Sequence, residues 1–536
     1  MNEPNRTTAM SEIPEGVGGH EPSAADLPPP WAGWDQGRRI GAVAGAVIAC
    51  ALLGWLAAGW VGPNPPELSA RTSGDEALAT EVERLLGDDR RGLDAMAVAV
   101  LDEGETTHAG FGAGRTEAVG PDTAFEIGSV TKTFTGMLLA DFIDKGELDP
   151  DQSLRTLTGG EAREGEDGDT GGDASLEALA SHRAGYPRLP TSVLPRALLA
   201  RYAGSDPYTG GRDDILDSAT DVDAASGDYA YSNLGMAALG NALAVHASRT
   251  YADLVGEELL EPLGMDATVF PTGSDIVSPR VEGHDHRTGS ETAPWRAPGW
   301  QPAGVGVWST TEDLSRFLGA VMDRSAPGAE ATRSRYEIED ERSIGYGWFT
   351  TTYPEADGAS ITWHNGGTGG FRSWVGYDPD SRRGAVVLSN TTRSVDDLGS
   401  ALVFGEPLLD DGEALPARSP GLVGWLIAVM SVVGVIAAGW SVPETLRTGR
   451  GAARQLIDAV ATMAIVLTLT RLLAPWDLVS TSIWAGAAAL GVAITGAAIW
   501  AGVRKPTASE SWVVPRWIAT ITGVGLALVL VGATVA

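Results

Sequence analysis

The sequence predicts an α/β domain followed by an all-α transmembrane region. Two β-hairpin patterns lie near the ends of the segment 68–410, one pairing residues 94–101 with 106–111 and one pairing 363–377 with 385–388. Between them, apolar residues at helical spacing begin at Gly128-Ser129, and Thr310 followed by acidic residues indicates the start of another helix. Apolar runs of about 20 residues, long enough to cross a bilayer, lie outside this segment.

Ser129 and Lys132 lie three residues apart at the start of the first of these helices, in the segment FEIGSVTKTFT. Residues at i and i+3 share one helix face, so we expect the Lys132 amine close to the Ser129 hydroxyl. A serine hydroxyl becomes an effective nucleophile only when a neighbouring group activates it. The chain has only three lysines, at 132, 145 and 505, and Arg cannot accept a proton in their place. These residues indicate a serine nucleophile with a lysine base.

Two further motifs follow in a fixed order. Tyr231-Ser232-Asn233 precedes an apolar helix predicted over 234–245, and His364-Asn365-Gly366 ends a β-rich run. The order S-x-x-K, Y-x-N, H-x-G resembles the serine β-lactamase and penicillin-binding-protein superfamily. Its class C-like branch, which includes D-Ala-D-Ala carboxypeptidases, D-aminopeptidases and esterases, is the most similar. The resemblance covers about residues 68–410 and implies an antiparallel sheet flanked by helices, plus a helical lobe, with the active site at the seam.

The resemblance also implies roles for individual residues. Ser129 is expected to form an acyl-enzyme, and Lys132 and Tyr231 to share the acid–base work. Tyr231 can act as a base only if neighbouring cations stabilise its phenolate. Asn233 is expected to hold the Lys132 amine and to contact the substrate amide. The third motif contributes the remaining expected site residues, which are Gly367 for an oxyanion hole shared with the Ser129 N–H, and Asn365 and Gly366 for substrate binding.

His364 stands where lactamase-type third motifs begin with Lys. An imidazole is shorter and can be neutral or cationic near physiological pH, so a permanent cation for a β-lactam carboxylate is not guaranteed. This departure favours a hydrolase of D-amino-acid peptides, amides or esters, including cell-wall fragments. A β-lactamase is the first alternative. A non-catalytic ligand sensor is the second, although the sequence lacks an H-E-x-x-H metalloprotease motif and its predicted cytoplasmic loops are short.

No cofactor or metal is expected. His284-Asp285-His286 places two imidazoles at i and i+2 in a loop, which is poor metal-ligand geometry without further partners. His182 falls where the family has a histidine near the pocket edge and is interpreted as structural.

Composition restricts the partners. A formal net charge of -32 argues against nucleic acid and leaves a small-molecule or peptide substrate; the oligomeric state stays open. Cys50 is the only cysteine, so the chain cannot form an internal disulfide. The residues before Cys50 resemble a lipoprotein box, but apolar residues continue beyond it and favour a buried helix cysteine. The Gly- and acid-rich segment 159–173 is predicted to be a solvated loop.

The flanking segments predict a multi-pass protein of the cell membrane with a lipid bilayer as partner. Residues 1–37 are predicted to form a disordered cytoplasmic tail, 38–62 a membrane anchor, and 420–536 four further transmembrane helices. Basic residues cluster before the first span, between the second and third, and between the fourth and fifth. Such clusters mark the cytoplasmic side, so the N-terminus is expected inside and the catalytic domain, 68–410, outside.

Overall fold

The computed structural model describes residues 36–112, 118–160, 173–222, 224, 227–272, 279–356, 358–404, 414–440 and 452–502. Several predicted segments lie outside these residues or at their edge. They are most of the tail, most of the acidic segment, the span near the C-terminus, and the basic clusters on the second and third predicted cytoplasmic loops. Those predictions stay predictions.

The helices of the described residues are α1 (Gln36–Val61), α2 (Glu76–Leu86), α3 (Thr131–Asp144), α4 (Leu154–Leu157), α5 (Leu176–Ala180), α6 (Leu194–Ala203), α7 (Arg212–Thr220), α8 (Asn233–His246), α9 (Tyr251–Val255), α10 (Glu261–Leu263), α11 (Thr311–Met322), α12 (Asp396–Phe404), α13 (Gly421–Gly439), α14 (Ala452–Leu473) and α15 (Ser482–Gly502). Short 3₁₀ turns cover Gly128–Val130, Pro298–Ala303, Ala329–Thr332 and Pro354–Ala356, and a π-helical turn covers Gly256–Leu260.

The strands of the described residues are β1 (Thr72–Gly74), β2 (Met96–Asp102), β3 (Glu105–Phe111), β4 (Phe125–Glu126), β5 (Gly283–His284), β6 (Glu291–Thr292), β7 (Trp308–Ser309), β8 (Tyr336–Glu339), β9 (Arg342–Ile344), β10 (Phe349–Tyr353), β11 (Ala359–Gly367), β12 (Arg372–Tyr377) and β13 (Gly384–Ser389).

Nine of these strands form one antiparallel sheet in the order β1-β3-β2-β13-β12-β11-β10-β9-β8. The N-terminal hairpin joins the C-terminal strands through β2 and β13, where Val98 pairs with Val387. Both strands are almost entirely buried, which agrees with their run of Val, Ala and Leu. The predicted α/β class and the single antiparallel sheet are therefore confirmed.

The first predicted hairpin is correct, and the second needs a correction. β2 and β3 turn at Glu103 and Gly104, both of which have positive φ, as a tight two-residue hairpin requires. The predicted strand 363–377, however, is two strands, because the glycine-rich run 366–370 reverses the chain between β11 and β12. The alternating pattern continues on both sides of this turn, and so the periodicity alone did not reveal it.

Helices cover both faces of the sheet. α2 and α12 pack on one face, where the Trp374 ring lies so close to Gly399 that a side chain at that position would collide with it. α11 and the lobe formed by α3 to α10 pack on the other face. Thr310 caps α11 by accepting a hydrogen bond from the Asp313 N–H, as predicted.

Helix α3 differs from its sequence pattern. Its apolar residues suggest an amphipathic helix, but Thr131, Thr133 and Thr135 on its other faces are buried as well. Their hydroxyls are satisfied locally: Thr133 donates to the Val130 carbonyl, and Thr135 to the Pro302 carbonyl. The helix therefore runs through the centre of the domain, between the sheet and the other helices of the lobe.

The remaining helices, α1 and α13 to α15, pack against one another outside the sheet domain. Gly54 on α1 lies against Ala489 on α15, and Gly434 on α13 lies against Val466 on α14. Among the described helices one, Gly421–Gly439, is long and apolar enough to cross a membrane, and Val47–Val61 and Ser482–Ala497 are shorter apolar stretches.

Ion pairs and hydrogen bonds join the two parts at one end of these helices. Arg418, three residues before α13, binds Asp89 of the sheet domain through two nitrogens at 2.9 and 3.0 Å, and Asp477 of the α14–α15 loop at 2.7 Å. Arg91 of the sheet domain also donates to the Trp476 carbonyl in that loop. The sheet domain is thus fixed directly to the helices.

Candidate active site

Ser129 and Lys132 meet at the start of α3. Ser129 lies in the 3₁₀ turn that links β4 to the helix, and the Lys132 Nζ lies 2.8 Å from its Oγ. The same amine donates a hydrogen bond to the Ala303 carbonyl at 2.6 Å. Lys132 is completely buried, whereas Ser129 is partly exposed. The nucleophile is therefore accessible from a site whose lysine is not.

The Lys132 amine is poised to be neutral. Burial, followed by the positive charge of Arg188, holds the pKa of Lys132 well below its usual value. A neutral amine has one lone pair, and its N–H groups can satisfy the Ala303 carbonyl. The lone pair is then available to accept the Ser129 proton.

Tyr231 lies on the other side of the nucleophile. Its hydroxyl hydrogen-bonds to Ser129, and its ring centroid is 5.1 Å from the Lys132 Nζ. Burial raises the pKa of Tyr231 well above its ordinary value, and the Ser129 hydrogen bond and the charge of Arg188 only partly offset this. The phenol is thus protonated at rest. The site lowers the pKa of Lys132 and raises that of Tyr231. Lys132 is therefore assigned as the base and Tyr231 as the proton donor.

His364 is a neutral imidazole in this site. Its side chain is completely buried, and Nδ1 lies 2.6 Å from the Asn365 carbonyl, which fixes the tautomer with the proton on Nδ1. Burial is the main cause that lowers the pKa of His364 to about 3. Nε2 is buried without a hydrogen-bond partner among the described residues. The position therefore provides an acceptor rather than the cation that a lysine would provide.

Two expected contacts are not made. Asn233 donates to the Tyr208 hydroxyl at 3.3 Å, and its Oδ1 has no hydrogen-bond partner among the described residues, so it does not hold the Lys132 amine. Asn365 donates to the Asp396 carboxylate at 2.7 Å. Successive side chains on a strand point to opposite faces, and Asn365 therefore faces α12 while His364 faces the nucleophile.

The glycines of the third motif bring the chain against the nucleophile turn. A Cβ on Gly366 would collide with the Ile127 carbonyl, so this buried residue packs against the nucleophile turn. Its role in substrate binding stays a prediction. A Cβ on Gly128, which has a φ of 51°, would lie only 2.7 Å from the Gly367 N. The backbone amides of Ser129 and Gly367 thus lie on touching segments, as the predicted oxyanion hole requires.

Residues outside the three motifs complete the surroundings. The ring of His182 lies with its centroid 4.4 Å from that of Tyr231, and its Nδ1 accepts a hydrogen bond from the Ser232 N–H. Its backbone has a φ of 57°. His182 therefore packs against the Tyr231 ring, in agreement with its interpretation as a structural residue. The Ala303 carbonyl and the Arg188 guanidinium were not predicted, because no local pattern marks them.

Glu126 is a further buried group beside the nucleophile. It lies three residues before Ser129, and its Oε1 accepts a hydrogen bond from the Trp295 N–H at 2.8 Å. Its Oε2 has no hydrogen-bond partner among the described residues. Burial raises the pKa of Glu126 to about 8, although the Thr368 hydroxyl acts in the opposite direction.

The two loop histidines do not converge on a common point. His286 Nδ1 pairs with the Thr392 hydroxyl at 2.7 Å, whereas His284 Nδ1 lies 3.8 Å from Asp94. Within the part of the chain that the structure describes, no three His, Cys, Asp or Glu side chains are grouped as metal ligands.

Comparison with known proteins identifies the family. The family model described as beta-lactamase matches residues 76–403, more than half of the chain. The chain belongs to the beta-lactamase family. This is the superfamily of β-lactamase- and transpeptidase-like serine hydrolases that the three motifs resemble.

The relatives are distant and differ in activity. The chain is 26% identical over 358 residues to an unguisins hydrolase of Aspergillus campestris, covering 62% of this chain and 64% of that protein, less than two thirds of its length. It is 25% identical over 348 residues to the D-alanyl-D-alanine-carboxypeptidase/endopeptidase AmpH of Escherichia coli, covering 59% and 87%. It is 26% identical over 349 residues to a beta-lactamase of Yersinia enterocolitica, covering 56% and 83%.

A solved structure supports the fold. The class C beta lactamase from Rhodobacter sphaeroides aligns with a TM-score of 0.51 at 20% identity, covering 62% of this chain and 98% of that one. The alignable fold is therefore the beta-lactamase domain alone, and the helices α1 and α13 to α15 are additional to it.

Replacing Glu126 tests its buried, protonated state. Its pKa is about 8 when folded and near the ordinary 4.5 when unfolded, so folding takes up a proton between these values. The stabilisation associated with this proton is present below about pH 4.5 and is lost as the pH rises through about 8. We expect Glu126→Gln, which cannot ionise, to gain thermal stability relative to wild type as the pH rises through this window. Melting curves across the window measure this, with the exposed Glu105→Gln as control. Parallel wild-type and Glu126→Gln profiles would contradict it.

Proposed function

We propose that this beta-lactamase-family protein is a membrane-anchored serine hydrolase that acts through an acyl-enzyme on D-amino-acid peptides, amides or esters, cell-wall fragments among them. The observation that supports this most directly is the 2.8 Å separation of a desolvated Lys132 amine from the Ser129 hydroxyl. The amine is the base, the hydroxyl is the nucleophile, and both lie beside a protonated Tyr231.

Acylation follows from this geometry. Ser129 Oγ attacks the substrate carbonyl carbon while its proton passes to the Lys132 amine. The carbonyl oxygen becomes an oxyanion, which the N–H groups of Ser129 and Gly367 stabilise. When the bond to the leaving group breaks, the Tyr231 hydroxyl donates its proton to the departing nitrogen or oxygen and recovers one from the Lys132 ammonium. A water molecule then attacks the ester by the reverse sequence and releases Ser129.

The neutral His364 supports the peptide and ester substrates over β-lactams. Its buried imidazole, with a pKa lowered to about 3, offers no positive charge to a β-lactam carboxylate near neutral pH. A relative named as a beta-lactamase and one named as a carboxypeptidase/endopeptidase are about equally similar to this chain. Sequence similarity therefore does not separate the two functions. A β-lactamase therefore remains the second candidate.

Membrane anchoring is supported by the helices outside the catalytic domain. An 18-residue stretch within Gly421–Gly439 has a mean hydropathy of 2.3. At about 1.5 Å per residue, the helix approaches the ~30 Å thickness of the hydrocarbon layer. Large apolar side chains along α1 and α13 are exposed. Trp60 and Trp425 lie at one end of these helices and Trp440 at the other, a distribution typical of the two membrane interfaces. The positions of the basic loops support a catalytic domain outside the cell.

The first test is covalent labelling of Ser129. A fluorophosphonate or penicillin probe should add one adduct to the purified full-length protein, because the activated hydroxyl is the attacking group. Intact-mass measurement should show the adduct in wild type and in the exposed-serine control Ser394→Ala, but not in Ser129→Ala. An adduct that persists in Ser129→Ala would overturn the assignment of the nucleophile.

The second test concerns the charge at position 364. Wild type should turn over esters and D-peptides faster than cephalosporins, and His364→Lys should narrow this gap by supplying a cation. His364→Gln, which stays neutral, should leave the ratio of the two rates near that of wild type. Steady-state rates with a p-nitrophenyl ester and a chromogenic cephalosporin give the ratio. A wild type that prefers cephalosporins, with no change in the lysine variant, would favour the β-lactamase instead.

The third test is membrane topology. In a Cys50→Ala background, single cysteines at Glu147 in the catalytic domain and at Ser11 in the N-terminal tail report the two sides. A membrane-impermeant maleimide applied to intact cells should label Glu147→Cys and should label Ser11→Cys only after lysis. The protein should also stay in the membrane pellet at alkaline pH. Reversed labelling would contradict the orientation, and alkaline release would contradict the spans.

A further inference from the structure

One cation at the mouth of the site takes no part in the proton transfers described above. Arg188 lies on the loop between α5 and α6, is exposed, and has its guanidinium carbon 5.5 Å from the centroid of the Tyr231 ring. Within the described residues it makes no hydrogen bond and no ion pair. Its charge nevertheless reaches the site, because it lowers the pKa of Lys132.

The other positive groups near the nucleophile are already engaged. The Lys132 amine contacts Ser129 and Ala303. Arg342 stacks on Phe349, with its guanidinium carbon 4.4 Å from that ring centroid. Arg188 lies over the Tyr231 ring, but its N–H groups make no hydrogen bond within the described residues. Such a guanidinium presents several N–H donors in a fork that matches a carboxylate.

The distances limit where such a carboxylate can lie. Lys132 Nζ and the Arg188 guanidinium lie 5.1 and 5.5 Å from the same Tyr231 centroid, so no more than the sum of these distances separates them. An extended peptide advances by about 3.5 Å per residue. A carboxylate within about three residues of the scissile bond can therefore reach Arg188 while the bond lies at Ser129.

An anionic substrate approaches a chain that is negatively charged overall. Its net charge of -32 repels anions in general, and His364 adds no positive charge at the site. A local guanidinium that pairs with the substrate offsets this repulsion where binding occurs.

We propose that Arg188 is the specificity residue of this hydrolase and selects substrates that carry a free carboxylate within about three residues of the scissile bond. The inference rests on the proposed function and deepens it by naming the substrate class. Arg188 contacts the substrate rather than the reacting atoms.

The test uses two esters that differ in one group only. One carries a free carboxylate, and the other carries the primary amide at the same position. Wild type should favour the carboxylate by about 10- to 100-fold in kcat/KM, mainly through KM, because a charged hydrogen-bonded pair is lost in the amide. Arg188→Gln should abolish the preference, and Arg188→Lys should keep part of it. The preference should weaken with added salt.

Arg183→Gln is the matched control. Arg183 lies on the same loop, but its guanidinium stacks 3.8 Å from the centroid of Tyr336 and donates to the Gly227 carbonyl. It should keep the wild-type preference. Because Arg188 also depresses the Lys132 pKa, its loss can slow both esters equally, and only the ratio between them measures recognition.

The outcomes separate the two proposals. If neither ester acylates Ser129, the proposed function fails. If the amide ester acylates Ser129 normally but wild type shows no preference for the carboxylate, or if the preference survives in Arg188→Gln, the assignment of Arg188 is overturned while the hydrolase function stands.

Discussion

Burial of the Lys132 amine is the constraint on which the site depends. An ammonium in a dry protein interior is costly unless an opposite charge pairs with it, and no carboxylate in the described residues binds this one. The amine instead contacts a hydroxyl and a backbone carbonyl, from Ser129 and Ala303. Such partners suit a neutral amine. Because α3 is buried on nearly all faces, the amine can avoid its cost by losing its proton, but not by turning towards water.

Glycines allow the backbone segments around this amine to pack closely against one another. Gly304 has a φ of 100°, and a Cβ there would collide with the Gly128 carbonyl and lie 2.8 Å from the Ser129 N. A Cβ on Gly347, which has a φ of 68°, would likewise collide with the Lys132 carbonyl. Three chain segments therefore meet at the nucleophile at backbone-to-backbone distance. This close packing excludes water from the lysine while leaving one side of Ser129 open.

Local spacing predicted the parts of the site that lie on a single element. Ser129 and Lys132 are one helical turn apart, so their proximity follows from helix geometry, and the β2–β3 hairpin follows from its alternating strands. Contacts between different elements could not be predicted from local spacing. Ala303 is 171 residues from Lys132 along the chain, and only the packing of the lobe brings them together. The expected hydrogen bond between Asn233 and Lys132 is absent for the same reason, because the contact of Asn233 depends on how α8 is rotated against Tyr208.

The Arg418 junction has a consequence for how the enzyme searches for substrate. A catalytic domain on a flexible tether sweeps a hemisphere above the bilayer, whereas Arg418 binds Asp89 and Asp477 immediately before α13 begins. For a hydrolase anchored as proposed, the active site then keeps a constant height and tilt while the whole molecule diffuses in two dimensions. The layer of the cell envelope that it can process is therefore set by the dimensions of the fold, and material lying above that layer escapes it.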